Sequence, residues 1–432
     1  MVSNGRFLTI FPKPDCLQLL PDNQLFQIPM YLSVLVGIWP IILTESKWLK
    51  KAYRLFATML YYYYLEYICR AYFQLVLLVR AEHLNLEEIL GNLCITLIYT
   101  VSMIRLRAFD TQQIKTLFST IVDAETLILQ DPDPEVRKIY LAVVRRNKVS
   151  HFVFFICGWM VSFLYFLHPF FMELPTMKVN NETITLKTLP LSTWWPIDVQ
   201  KHYWTAYCWN VFDGTLGSSF VIDSDMLAFS LVVFAVCRLD ILSYRLQRLQ
   251  LAGGQTSQQV NWENFRNLIV QHQEIIAYVD TFNDGMKYVM LFDFLQCSVQ
   301  LATITLQLLV MKINFQNVLF VGVFLITMVM RLVIYYFNGN EIIYKSQQLA
   351  IDIWMTDWYK QSHNVKHMIL FFSIRAQRPL KFLIGPFGVL SLETFITVSD
   401  AGISHSFQTS PSLLQIIKAT YSYMMLFVNT SK

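Results

Sequence analysis

The sequence predicts an all-α, polytopic membrane protein with seven transmembrane helices, a cytoplasmic N-terminus and an extracellular C-terminus. Three observations carry that expectation. Of the 432 residues, 55% are hydrophobic, 15% aromatic and only 15% charged, with a mean hydropathy of +0.41, too apolar for a soluble domain of this length. Six apolar windows approach the roughly 20 residues that a ~30 Å hydrocarbon layer demands of a helix, and a seventh is interrupted. The segments joining them alternate between rich and poor in Lys and Arg, as positive-inside topology requires.

Taken in order, a short apolar run at 28–43, IPMYLSVLVGIWPIIL, contains Pro40 and reads as an interfacial or packed segment. The first span is 55–79; inside it Glu66 and Arg70 stand four apart on one helical face, where they can pair with each other. The second span is 88–104, the third 152–172 and the fourth lies near 208–237. Within the fourth, Asp223, Ser224 and Asp225 have no nearby partner in sequence, so they either face a water-filled vestibule or the span begins later. The fifth and sixth spans are 288–310 and 318–337. Between the fourth and fifth, QRLQLAGGQTSQQVNWENF (247–265) reads as a flexible turn. Apolar residues at helical spacing on either side extend both spans as amphipathic helices over about 238–287.

Orientation follows from the cations. The N-terminal stretch holds six (Arg6, Lys13, Lys47, Lys50, Lys51, Arg54), the first loop one (Arg80), and the second eight (Arg105, Arg107, Lys115, Arg137, Lys138, Arg145, Arg146, Lys148). The third holds three (Lys178, Lys187, Lys201), the fourth four (Arg238, Arg245, Arg248, Arg266), the fifth one (Lys312) and the sixth six (Lys345, Lys360, Lys366, Arg375, Arg378, Lys381). This places the N-terminus inside, with no removable signal peptide in the first 25 residues. The sequon at Asn181 then falls in an outward loop, open to glycosylation.

Several function classes are excluded. The net charge of +4 is spread along the chain and forms no basic face for nucleic acid. The seven cysteines fall almost all within apolar segments, where a thiol packs as a small hydrophobe, so neither a disulfide framework nor a metal site is indicated. His363 and His367 could share a helix face, but no carboxylate or Cys at ligand spacing completes a zinc set, and they read as structural. No nucleophile–base arrangement, phosphate loop or inward carboxylate pair is present, so no enzymatic role and no cofactor is expected.

YFNGNEIIYKSQQLAIDIWMTDWYKQ (336–361), IRAQRPLKFLIGPFGVLSLETF (374–395) and IIKATYSYMMLF (416–427) resemble the C-terminal signature of the insect odorant receptors. CRLDILSYRLQRL (237–249) and STWWPIDVQKHYW (192–204) are weaker versions of that family's patterns. The resemblance implies an odorant-gated, nonselective cation channel in the plasma membrane of olfactory sensory neuron dendrites. It implies a tetramer in which a tuning subunit binds a small volatile odorant and is partnered by a shared co-receptor, with membrane lipid as solvent. The short fourth loop makes this chain resemble a tuning subunit. Helices one to six would then occupy 1–337, a cytoplasmic anchor with the first part of helix seven 338–385, and the pore-lining second part 386–432. Asn338, Gly339, Asn340, Glu341, Trp358, Tyr359, Arg375, Gln377 and Arg378 look like anchor contacts, since Arg and aromatic residues suit partly buried interfaces.

A site for a small volatile molecule should be apolar, aromatic-lined and sparsely polar. Trp159, Ser162, Phe163, Tyr165, Phe220, Phe320 and Phe324 in the outer halves of the spans, with Tyr99 near mid-membrane, can supply it.

The seventh window is split into 386–397 and 416–428, each too short to span. Joined directly, they form a helix with one stripe running Thr394, Thr397, Ala419, Ser422, Leu426 and Asn429. Small polar side chains, one aliphatic ring that gates by dewetting and an amide at the mouth suit a cation pore. The resemblance puts Leu426 at the hydrophobic gate and Asn429 at the outer opening. The insert 398–415 departs from the family; helix, pore-lining loop and retained intron compete as readings. We favour the intron, because Val-Ser at its start and Gln at its end are compatible with GTAAGT and CAG splice signals. Two further functions are considered: an inverted seven-helix chemoreceptor signalling through cytoplasmic partners without conducting, and a transporter, which would show matching broken helices in both halves.

Overall fold

The computed structural model describes residues 24–38, 47–81, 86–171, 176–179, 182–185, 187–248, 255–310, 315–386 and 388–393. Among these, nine α-helices dominate: α1 Gln27–Leu35, α2 Lys47–Arg80, α3 Leu86–Phe109, α4 Gln112–Leu129, α5 Pro134–Phe171, α6 Tyr203–Gln247, α7 Gln255–Val310, α8 Phe315–Trp354 and α9 His363–Ala376. Two antiparallel hairpins interrupt the helical rule. β1 (Thr176–Val179) pairs with β2 (Glu182–Thr185) between α5 and α6, and β3 (Leu383–Ile384) pairs with β4 (Gly388–Val389) after α9.

The fold is a polytopic membrane bundle. Glu88–Phe109, Pro134–Phe171, Tyr203–Gln247 and Leu319–Trp354 are each long and apolar enough to cross a membrane by length and composition. At 1.5 Å per residue the 45 residues of α6 reach about 67 Å and the 56 of α7 about 84 Å, more than twice the ~30 Å hydrocarbon layer. Both helices therefore continue beyond the membrane, and the break between them is shorter than the 247–265 turn that composition suggests, since α7 begins at Gln255. The second loop is itself helical: in α4, Ile114, Leu117, Ile121, Ala124 and Ile128 recur at three- and four-residue intervals and are all buried.

α6 is the axis of the bundle. It packs on α1, α2, α3, α5, α7 and α8, and every residue from 219 to 237 is buried. A helix apolar around its whole circumference must be surrounded in this way. After α9 the chain returns as the β3–β4 hairpin, clamped to α7: the Leu383 amide donates to Asn283 Oδ1 at 2.9 Å and the Gly385 amide to the Lys287 carbonyl at 2.8 Å. Gly385 sits at φ +61°, where a side chain would be strained.

Two sequence readings need correction. Asp223, Ser224 and Asp225 do not precede the start of a span; all three are completely buried well inside α6, and Asp225 borders the cavity described below. Arg105, counted among the loop cations, lies within α3 and is 1% exposed. Without it the second loop's count is seven. Asn181, the insert 398–415 and the pore positions Thr394, Thr397, Ser422, Leu426 and Asn429 lie outside the described residues.

Candidate functional site

A cavity of about 110 Å³ lies between α3, α5, α6 and α8. That is several times the roughly 10–15 Å³ a single water needs on the same measure, so it admits a small molecule. Ile95, Ile98 and Tyr99 come from α3; Phe154, Gly158, Ser162 and Tyr165 from α5; Gly214, Ser218 and Ile222 from α6; Phe324 and Met328 from α8. The walls are mostly hydrocarbon and aromatic ring, with a few hydroxyls.

Close approach of aromatic rings to α6 depends on two glycines. A Cβ at Gly214 would stand 2.6 Å from the Phe166 ring, and one at Gly217 would overlap the Tyr99 ring outright. Tyr99 can therefore lie flat against α6, where its hydroxyl donates to the Gly214 carbonyl at 3.4 Å. Tyr64 fixes it from behind by donating to the Tyr99 carbonyl at 3.0 Å. On the facing wall, Ser162 and Ser218 join α5 to α6 through hydroxyls 2.7 Å apart, a pair with room to accept or donate to a ligand.

The cavity is roofed by the 187–202 segment. Leu191 lines it, held by a two-way link in which its amide donates to Asn210 Oδ1 at 2.8 Å and Asn210 Nδ2 donates to its carbonyl at 3.1 Å. Asn92 Nδ2 donates to the Ser192 carbonyl at 2.6 Å, tying the same roof to α3. Trp195 lies over the Arg70 guanidinium, 5.1 Å from ring to cation. Arg70 also bridges Glu66 at 2.7 Å, as the spacing suggests, and reaches Asp213 of α6 at 3.1 Å.

The floor is charged. Arg331 and Asp225 line the cavity's inner end and belong to a network of two cations and two carboxylates. Arg331 Nε donates to Asp225 Oδ2 at 2.8 Å and its Nη2 contacts Asp293. Arg105 donates to Asp293 Oδ1 at 2.6 Å and pairs with Asp225. Tyr335 donates to Asp225 Oδ1 at 3.3 Å. The four charged residues come from α3, α6, α7 and α8 and are 6% exposed or less. Charges so buried in a membrane bundle persist only when paired; here positive and negative balance.

Of the eight expected ligand residues, Tyr99, Ser162, Tyr165 and Phe324 line the cavity together. Phe320 stands behind Tyr165, with ring centroids 4.6 Å apart. Phe220 is buried against Tyr64 at 4.6 Å, one layer away. Trp159 packs at the edge of the core beside Phe155. Phe163 is 60% exposed on the outer face of α5 and is not part of the lining. Sequence reasoning passed over Asp293 and Arg331, although an isolated charge in each of two apolar spans is itself a signal.

The expected anchor residues fall on α8, α9 and the segments beside them. Gly339 is buried where a Cβ would meet the Leu390 carbonyl at 2.5 Å, so the β4 end packs directly on α8. Asn338 donates to its own helix at Ile334, and Glu341 reaches Lys345 at 3.3 Å. Asn340 is half-buried, Trp358 stacks on Trp354 at 4.7 Å, and Tyr359, Gln377 and Arg378 are exposed. Arg375 Nη1 donates to the Arg378 carbonyl at 3.2 Å. Beside them lies an apolar surface that the sequence reading did not single out: Tyr344, Trp354, Met355, Leu370, Phe371 and Ile374 are each at least half exposed. His363 and His367 stack with ring centroids 4.4 Å apart; among the described residues no group of three or more potential ligands is placed to hold a metal ion.

Comparison with known proteins adds the family. The model of the 7tm Odorant receptor family matches residues 85–401. Odorant receptor 10 of Aedes albopictus is 26% identical over 138 residues, 32% of this chain and 36% of that protein. Odorant receptor 67c of Drosophila melanogaster is 22% identical, over 53% of this chain and 54% of that protein. The chain thus spans about a third and about half of those two relatives, whereas it covers 84% of odorant receptor Or2 of Anopheles gambiae at 20% identity over 74% of its own length. The solved insect olfactory receptor OR5 from Machilis hrabei in complex with eugenol superposes with a TM-score of 0.70 at 15% identity, covering 92% of this chain and 97% of that one. The same receptor without that ligand gives 0.72 at 16% identity, covering 89% and 98%.

Proposed function

The chain belongs to the insect odorant receptor family, and from that premise we propose that it binds small, neutral, volatile odorants in the α3/α5/α6/α8 cavity. The observation that carries this reading is the apolar, aromatic-walled space into which Tyr99, Ser162, Tyr165 and Phe324 converge. Neutral ligands are favoured because the charged floor is already balanced. A charged odorant would bury a net charge beside Arg331 and Asp225, whereas a neutral one can use the Ser162–Ser218 hydroxyls for a single hydrogen bond. The Machilis receptor that shares this fold was solved with eugenol, a small neutral molecule of the same kind.

We further propose that the chain is a tuning subunit of an odorant-gated, nonselective cation channel, working with a co-receptor in a heterotetramer at the plasma membrane. The exposed apolar surface of Trp354, Met355, Leu370 and Phe371 supports assembly through the α8–α9 end, because a face this hydrophobic on an anchor demands a partner. The pore is assigned to the stripe from Thr394 through Leu426 to Asn429, and Asn181 to glycosylation.

Recording from cells that express the full chain with a co-receptor tests both parts. Odorant-evoked current is expected, with Tyr165→Ala shifting the effective odorant concentration at constant maximal current and Leu426→Ala changing conduction at constant odorant sensitivity. Normal surface expression without current to any neutral volatile, alongside measurable odorant binding, would favour a non-conducting chemoreceptor. No binding either would remove the cavity from consideration.

A further inference from the structure

We propose that the N-terminal end of α5 holds a binding site for the phosphate headgroup of an anionic membrane lipid. Lys138, Arg145 and Arg146 line one recess together with Leu141, Ala142 and Val149. Positions 138, 142, 145 and 149 follow one another at three- or four-residue steps and so share a helix face. That face continues as Phe152, Ile156, Met160 and Phe163, which are 58%, 47%, 44% and 60% exposed. In a polytopic bundle such an exposed apolar stripe meets acyl chains, and the cations begin where it ends, at headgroup level. Read along α5 from Phe163 toward its N-terminus, the face is apolar to Val149 and cationic from Arg146 on, which is the order of chemistry from acyl chain to headgroup along an anionic phospholipid.

The site rests on two guanidiniums that are unpaired among the described residues, share one recess and adjoin an exposed apolar stripe. Several cations near helix ends already hold a carboxylate, among them Arg245 with Asp131 at 2.5 Å, Arg238 with Glu274 at 2.7 Å, Lys345 with Asp240 at 2.6 Å and Lys115 with Asp110 at 2.6 Å. Arg145 and Arg146 are exposed, and among the described residues neither has a carboxylate within ion-pair distance. Lys138 does hold Glu135 at 2.6 Å, but both side chains are largely in solvent, at 70% and 42%, and such a pair yields readily to a phosphate. Two adjacent guanidiniums can grip phosphate oxygens bidentately, which an ammonium cannot. The apolar continuation of the face favours a lipid over free phosphate, because only a lipid also covers Phe152 and Ile156. The site does not depend on the odorant reading.

The test uses the full chain, purified and reconstituted into nanodiscs of phosphatidylcholine alone or mixed with phosphatidylserine, with retained lipid counted by native mass spectrometry. Phosphatidylserine is expected to be enriched on the protein. R145Q/R146Q is expected to lower that retention roughly fivefold for each charge removed, while R145K/R146K, which keeps the charge but not the bidentate grip, falls between it and the parent, and R248Q, whose cation lies 3.6 Å from Asp133, leaves it unchanged. A photo-crosslinkable phosphatidylserine on the unmodified chain, expected to label 138–149, needs no variant and covers the case in which R145Q/R146Q fails to fold. Equal retention by R145Q/R146Q, equal loss in R248Q, labelling only elsewhere, or competition by inorganic phosphate as effective as by lipid would each overturn the proposal.

Discussion

Replacing Arg331 with Gln tests the charged floor most directly. In the native network two cations face two carboxylates, and Arg331 supplies contacts to Asp225 at 2.8 and 3.1 Å as well as to Asp293. Without it, Asp225 and Asp293, which are 0% and 6% exposed, are left with Arg105 alone, and the membrane core carries a net negative charge. Breaking a buried pair in this way costs about 3–5 kcal/mol. With an unfolding entropy of about 2.1 cal/mol/K per residue, a chain of 432 residues changes its melting temperature by about 1 °C per kcal/mol, so a fall of roughly 3–5 °C is expected. The assay is fluorescence-detected size exclusion after heating the detergent-solubilised protein. The second arm is Asp293→Asn in the Arg331→Gln background, which leaves the Arg105–Asp225 pair and restores neutrality. It should recover half or more of the loss, a coupling on the order of 0.5–3 kcal/mol. Arg331→Gln melting with the parent, or Asp293→Asn adding its own loss on top, would refute a balanced network.

Two other predictions follow from packing and titration. Gly217→Ala places a methyl into the Tyr99 ring; overpacking of about 1–3 kcal/mol is expected, together with a displaced Tyr99 and a shifted odorant dose–response, and an unchanged dose–response would show that Tyr99 does not bound the ligand space. His272 on α7 is buried beside Phe372 at 5.0 Å, and burial first, then the Arg375 cation, push its pKa down from 6.5 to about 4. The folded chain then binds fewer protons than the unfolded chain in that window, so stability is full above pH 6.5 and falls as pH drops toward about 4, by up to about 3 kcal/mol. Melting curves across that range should flatten in His272→Phe; an equal slope in the variant would place the acid sensitivity elsewhere.

What the sequence determined by itself was set by periodicity and by solvent. Four of the span positions, the second, third, fourth and sixth, were legible because a membrane helix must be apolar for some 20 residues whatever it packs against. The long extensions of α6 and α7 were legible because their apolar residues keep helical spacing beyond the membrane. The Glu66–Arg70 pair was legible because four residues is one turn. Four of the eight residues expected by asking only for aromatic and hydroxyl side chains in outer half-spans do line the cavity. What the tertiary structure decided was everything that depends on non-local pairing. Asp225 looks unpartnered in the sequence because its partners, Arg105 and Arg331, lie 120 and 106 positions away on other helices. Phe163 looks equivalent to Ser162, its immediate neighbour, yet a step of one residue turns a helix by about 100°, so one side chain enters the cavity and the other lies exposed on the outer face of α5. Composition fixes that a helix is buried in a membrane; only the arrangement of its neighbours fixes which face looks inward, and therefore which residues form the site.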